Sequence, residues 1–315
     1  MGAADARPAA VLVTILRAVM VKSTIRWTFI LAVLLAVGPT LGWLARSIHD
    51  VQGGHSCSLL VNGTAAKGVL VALATAASGL VLGVMASRLF SLGTGLACAG
   101  FCYTWAAWNL GTVEGIVRTT GGSANLLMLG IEGAVLMGIA AVTVHVCTRA
   151  AAAAQPVDPE RRVPAGIGSL LVKASPEGAG LGPILIAAAI GAVAGGLIAS
   201  IFAVNGLKGQ SLFAAIAAGV ACGLAASSVA GSSKIVLHPV TPMLGMVLLA
   251  LVGPMVAKFM HGSHLVDLMY QDKMFPLSRI LSVDWVAGAL LGVPIGMGWA
   301  GVVLDVRSVE HPEPI

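Results

Sequence analysis

Charge is what this sequence lacks most: only 10% of its 315 residues are Asp, Glu, Lys or Arg. A soluble globular domain carries about 25%, so most of these side chains have no need to face water. Aromatics are also sparse, at 5%, which removes the interleaved basic and aromatic pattern of a nucleic-acid surface. The Arg161-Arg162 pair is too small a cluster to replace it. No CxxC pair occurs among Cys57, Cys98, Cys102, Cys147 and Cys222, so neither a zinc ribbon nor a thioredoxin-type centre is indicated. Cys98, Cys102 and Cys222 lie in apolar runs, where cysteine acts as a small hydrophobe. There is no GxSxG elbow, no GK[ST] after the Gly121-Gly122 diglycine, and no haem, flavin or quinone signature. No cofactor is expected, and an enzyme is disfavoured.

What remains is apolar. The chain is 57% hydrophobic with a mean hydropathy of +0.95, and its apolar residues come in long runs. The expected fold class is all-α, a polytopic integral membrane bundle of about eight helices. Hydropathy places the spans near 27–45, 68–87, 89–110, 126–146, 182–204, 211–229, 240–257 and 283–304. A helix needs about 20 residues to cross roughly 30 Å of hydrocarbon. The second and third spans, separated by Arg88, demand a tight hairpin. The seventh is short and carries Pro254, and the eighth carries Pro294, so both invite a break or tilt.

Trp27 and Trp43 bracket the first span, Tyr103, Trp105 and Trp108 gather at the end of the third, and Trp285 opens the eighth. Thr241-Pro242 is a helix start, as are Ser282 and Asp284. With the N-terminus cytoplasmic, 11 Lys or Arg fall on the inner side and 7 on the outer, within the total of 18. This is the expected direction of bias. The organisation is therefore a cytoplasmic or interfacial segment at 1–26, a first transmembrane half at 27–149, a cytoplasmic linker at 150–181, a second half at 182–304 and a cytoplasmic tail at 305–315. Residues 9–26 read as a basic interfacial helix leading into an uncleaved signal anchor. The plasma (cytoplasmic) membrane is the expected location, with both termini inside. AAAIGAVAGGLIAS (187–200) and AAIAAGVACGLAAS (214–227) resemble each other through composition, not through duplication.

Forty glycines make small-residue spacing the strongest local signal. GxxxG pairs occur at Gly38/Gly42, Gly79/Gly83, Gly191/Gly195 and Gly219/Gly223, and Gly288, Gly292 and Gly296 continue at the same interval to Ala300. Residues four apart share a helix face, where glycine lets another backbone approach closely. The neighbour is either another helix of this chain or a protein partner or second copy, with the lipid bilayer on the remaining faces.

Three polar groups draw attention. Glu132 lies within an apolar run, six residues past Leu126 and so about 9 Å into its helix. A carboxylate there must be paired, solvated or protonated. It reads as a proton or cation site in a transport pathway, as a hydrogen-bonded strut holding two helices together, or as a headgroup residue of a later-starting span. Glu114 and Arg118 have the favoured i, i+4 order, and Arg118 is a candidate partner for Glu132. His261, His264 and Asp267, spaced by three, are weak metal candidates, and the segment reads first as a wet polar loop or an interfacial amphipathic helix. His145 and Cys147 lack the third group and oxyanion site that a nucleophile needs. The functional expectation is a non-catalytic subunit or scaffold of a membrane assembly. The alternative is a transporter or channel for an ion or small solute with Glu132 in its pathway.

Overall fold

The computed structural model describes residues 20–49, 58–61, 63–120, 124–154, 181–232 and 237–310. The diglycine, Cys57, most of the 150–181 linker and both extreme termini lie outside the described residues, as does 9–19 of the expected interfacial helix. The protein is an all-α membrane bundle. Seven helices among the described residues are long and apolar enough to cross a bilayer.

The first, α1, runs through Met20–Arg46 and contains a π-helical turn at Val33–Val37 just before Pro39. Lys22 and Arg26 belong to this same continuous helix. Next come α2 (Ala65–Leu89), α3 (Leu92–Trp108), the short α4 (Val113–Thr120) and α5 (Ala124–Ala153). The second half comprises α6 (Leu181–Phe202), α7 (Lys208–Ser232), α8 (Val240–His261), the short α9 (Leu265–Tyr270) and α10 (Ser282–Glu310).

The expected third span is the exception to the seven. Its helix, α3, has only 17 residues, about 25 Å at 1.5 Å per residue. It nevertheless returns the chain from one end of the bundle to the other. Gly42 near the end of α1 stands against Asn109 just past the end of α3. Ser58, ahead of α2, bonds Glu132 in the first third of α5. Lys208 at the start of α7 meets Asp284 at the start of α10, Arg279 ahead of α10 reaches Val204 just beyond α6, and Ser282 bonds Leu129 of α5. One end therefore collects the C-termini of α1, α3 and α6 with the N-termini of α2, α5, α7 and α10. The hairpin anticipated at Arg88 is formed by Phe90 and Ser91, and Ser91 caps α3 by accepting the Thr94 N–H at 3.3 Å.

Neither proline breaks its helix: α8 continues through Pro254 and α10 through Pro294. Pro254 is buried, and Gly253 beside it lies against Leu277, where a Cβ would stand 2.8 Å from the carbonyl oxygen. This burial and close contact hold the stretch on the helical path.

Alanine and glycine line the closest helix contacts of the core, and large side chains such as Trp285, Tyr103 and Leu136 are buried among them. On α10, a Cβ at Gly288 would stand 2.9 Å from the Ala215 Cβ, one at Gly292 2.7 Å from the Val220 nitrogen, and one at Gly296 2.7 Å from the Leu224 nitrogen. Gly219 and Gly223 of α7 face back at the same four-residue interval. The stripe seen in the sequence thus lies against another helix of the same chain. Glycine inside a helix costs about 1 kcal/mol relative to alanine. Direct backbone contact over several turns offsets that cost through dispersion. The similar segments 187–200 and 214–227 also face each other: a Cβ on Gly191 would lie 2.9 Å from the Cys222 oxygen, and one on Gly195 2.9 Å from the Ala218 oxygen.

Other large apolar side chains point outwards. Val193, Leu197 and Ile201 form an exposed stripe on α6, and Leu70, Leu73 and Val81 are exposed on α2, which suits contact with lipid. Trp27 and Trp43 are both exposed on α1 and stand about 24 Å apart along it, within the roughly 30 Å thickness of the hydrocarbon.

Candidate functional site

The buried charged residues, Glu132, Arg279 and Asp284, lie at the end of the bundle that collects the starts of α2, α5, α7 and α10. Two short elements cover it. In α4, Val113, Ile116 and Val117 are buried while Arg118 faces outward, and in α9, Leu265 and Met269 are buried while Tyr270 is exposed. The Arg118 guanidinium lies 5.6 Å from the centre of the Tyr270 ring, tying the two covers together.

Asp284 is the most enclosed ion. It is fully buried and accepts from Lys208 Nζ at 2.6 Å, from Ser211 Oγ at 3.1 Å and from the Leu281 N–H at 3.2 Å. The last contact is half of a capping box, a carboxylate in the first turn reaching back to the N-cap amide. The other two join α7 to α10. Nearby, Arg279 is 3% exposed; its guanidinium donates to the Val204 carbonyl and lies 3.7 Å from Asp272. Asp272 adopts φ 55°, a left-handed turn that aspartate tolerates better than most residues. Ser282 completes the group by donating to the Leu129 carbonyl of α5 at 2.7 Å.

Glu132 sits on α5 about 12 Å from the start of that helix and is 3% exposed. Its Oε2 accepts from the Ser58 hydroxyl and from the Leu60 N–H at 3.3 Å. The amides of Leu59 and Val61 also face the carboxylate. The 58–61 segment is therefore wrapped on Glu132 through donors, and the Ser58 Oγ accepts the Val61 N–H at 3.1 Å. A cavity of about 350 Å³ lies beside this contact, lined by Leu60, Val61, Met128, Ile131, Glu132 and Val135.

The other sequence candidates are placed differently. Arg118 pairs with Glu114 at 3.9 Å, one turn away on α4, and not with Glu132. Glu114 packs directly on Gly206 in the α6–α7 connection. His261 uses its Nε2 to accept the Phe275 N–H at 3.3 Å, while His264 and Asp267 form an exposed pair 3.9 Å apart. Among the described residues no set of three or more His, Cys, Asp or Glu side chains converges on a metal-sized site. At the opposite end of the bundle His145 lies 5.9 Å from His238, ring centre to ring centre. Cys147 is buried two residues on.

Sequence reasoning did not single out Lys208, Arg279 or Ser58. Lys208 and Arg279 counted only as charges outside the spans. Ser58 stands 74 residues from the carboxylate it binds, and no local pattern connects them. No family model, curated protein or solved structure matches the chain.

Proposed function

We propose that this multi-pass membrane protein is a non-catalytic subunit or scaffold of a membrane assembly. The observation that carries the reading is the use made of its polar and small residues. Asp284, Arg279, Ser282 and Glu132 each hold a segment distant in sequence, and the glycines of α7 and α10 press backbone on backbone. An interior arranged in this way favours one shape over alternation between two. In this reading Glu132 is a strut, the capped end faces away from the cytoplasm, and both termini are cytoplasmic.

A transporter or channel is the second reading, favoured by the cavity beside Glu132. Extraction from the native membrane in mild detergent, followed by measurement of complex mass and identification of co-purifying chains, separates the two. A defined complex with other chains is the expected result. A homogeneous particle containing this chain alone would overturn the subunit reading and make Glu132 the first residue to test for flux.

A further inference from the structure

The cavity at Glu132 combines two features that seldom coincide. Three of its walls are side chains of the α5 face turned away from the bundle: Met128, Ile131 and Val135 are 53%, 48% and 50% exposed. These residues follow one another by three and four, so they form one stripe along the outside of the helix. The cavity consequently opens sideways, towards the acyl chains of one leaflet. Leu60 and Val61 close it on the side of the α1–α2 connection. The sixth lining residue is a carboxylic acid that the protein keeps almost entirely out of water.

The surroundings of that acid point to a ligand. Among the described residues, each group bonded to the Glu132 carboxylate is a neutral donor, a hydroxyl or a backbone amide. None of the ion pairs among the described residues involves it. The contrast with Asp284, which has Lys208 at 2.6 Å, is direct. A buried carboxyl is either paired or protonated, because neutral dipoles leave a net charge uncompensated, so a cation seated here is what would hold Glu132 in its ionised form. Ser58 and Leu60 both bond Oε2. One carboxylate among apolar walls is a poor donor set for a metal ion, and an opening flanked by outward-facing apolar side chains favours entry from the bilayer. The remaining complement is a cationic head on an apolar tail.

We propose that this cavity is a lateral binding site for a membrane amphiphile carrying a primary ammonium head, which sits against Glu132 while its chain lies along Met128, Ile131 and Val135. The ammonium is a compact charge with three donors. A quaternary head of the choline type has none to offer the carboxylate. The same chemistry could reach the site as a phospholipid headgroup or as a free long-chain amine.

Native mass spectrometry of the full chain in detergent tests the site. The probes are phosphatidylethanolamine and phosphatidylcholine with identical acyl chains, each titrated alone, then dodecylammonium and dodecanol as competitors. The expected result is several-fold greater retention of phosphatidylethanolamine, displaced by dodecylammonium and not by dodecanol. Retention of dodecylammonium over dodecanol without a preference between the phospholipids would assign the site to a free amine of the same chemistry. The preference should disappear in Glu132→Gln. Ile131→Trp, which fills the cavity from its lipid-exposed side and leaves the carboxylate intact, should abolish it too. That second variant keeps the test open if Glu132→Gln fails to fold. Equal retention of ammonium and non-ammonium probes, or a preference that survives Ile131→Trp, would overturn the proposal.

Discussion

Gly219 of α7 and Gly292 of α10 stand backbone to backbone: a Cβ on the first would lie 3.1 Å from the Cα of the second, and a Cβ on the second 2.9 Å from the Cα of the first. Neither helix can accept a side chain here without moving its partner. Gly292→Ala should therefore lower stability by about 1–3 kcal/mol, the usual range for overpacking. Gly298→Ala on the same helix is the control, since nothing lies within 4 Å of its Cβ position. Thermal unfolding in one detergent would compare them, and equal losses would mean that the contact does not resist expansion.

The Lys208–Asp284 pair makes a sharper prediction. Asp284→Ala leaves a largely buried ammonium without its partner, and breaking such a pair costs about 3–5 kcal/mol. Replacing both residues together, as Lys208→Met with Asp284→Leu, should recover much of that loss. A double variant no more stable than Asp284→Ala would show that Lys208 is not the reason for the cost.

Glu132 and Ser58 should be energetically coupled. A double-mutant cycle with Glu132→Gln and Ser58→Ala should give an interaction energy within about 0.5–3 kcal/mol, as for residues in one hydrogen-bonded network. Additive losses would remove the strut role. Arg118→Ala, by contrast, breaks an ion pair in which Arg118 is 57% exposed, and exposed pairs contribute about 0–1 kcal/mol. Its unfolding temperature should barely change.

For His261 the expectation concerns metal as well as stability. Its Nε2 already accepts the Phe275 N–H, so His261→Ala should loosen the 271–275 turn and leave the elemental content of purified protein unchanged. A stoichiometric ion that disappears with His261 would reverse this assignment.

Much of the architecture was legible because membrane helices advertise themselves: each of the eight hydropathy spans corresponds to a helix. Their ends were less legible. The lower limit of α5 lies seven residues beyond the hydropathy span, because Thr148, Arg149 and the alanines that follow continue the helix without continuing the apolar run. The glycine stripe of α10 was visible, whereas its neighbour was not, since a periodic face does not name what it touches. The polar site was the least legible part. Glu132 stood out by contrast with its surroundings, and Arg118 was its nearest candidate by sequence. The tertiary path instead delivered Ser58 to Glu132 and kept Arg118 on Glu114. Arg279 was misjudged for a related reason. Counting basic residues by side presumes that each faces water, and this one is folded under the end of α6.

The contact between α7 and α10 also has a mechanical consequence. Two helices whose backbones touch over several turns, with Lys208 and Asp284 locking their shared starting point, resist sliding and separation alike. They act as a single broad beam. Pulled from its ends or loosened by denaturant, the protein should yield first at its other helix contacts, and this pair should part last.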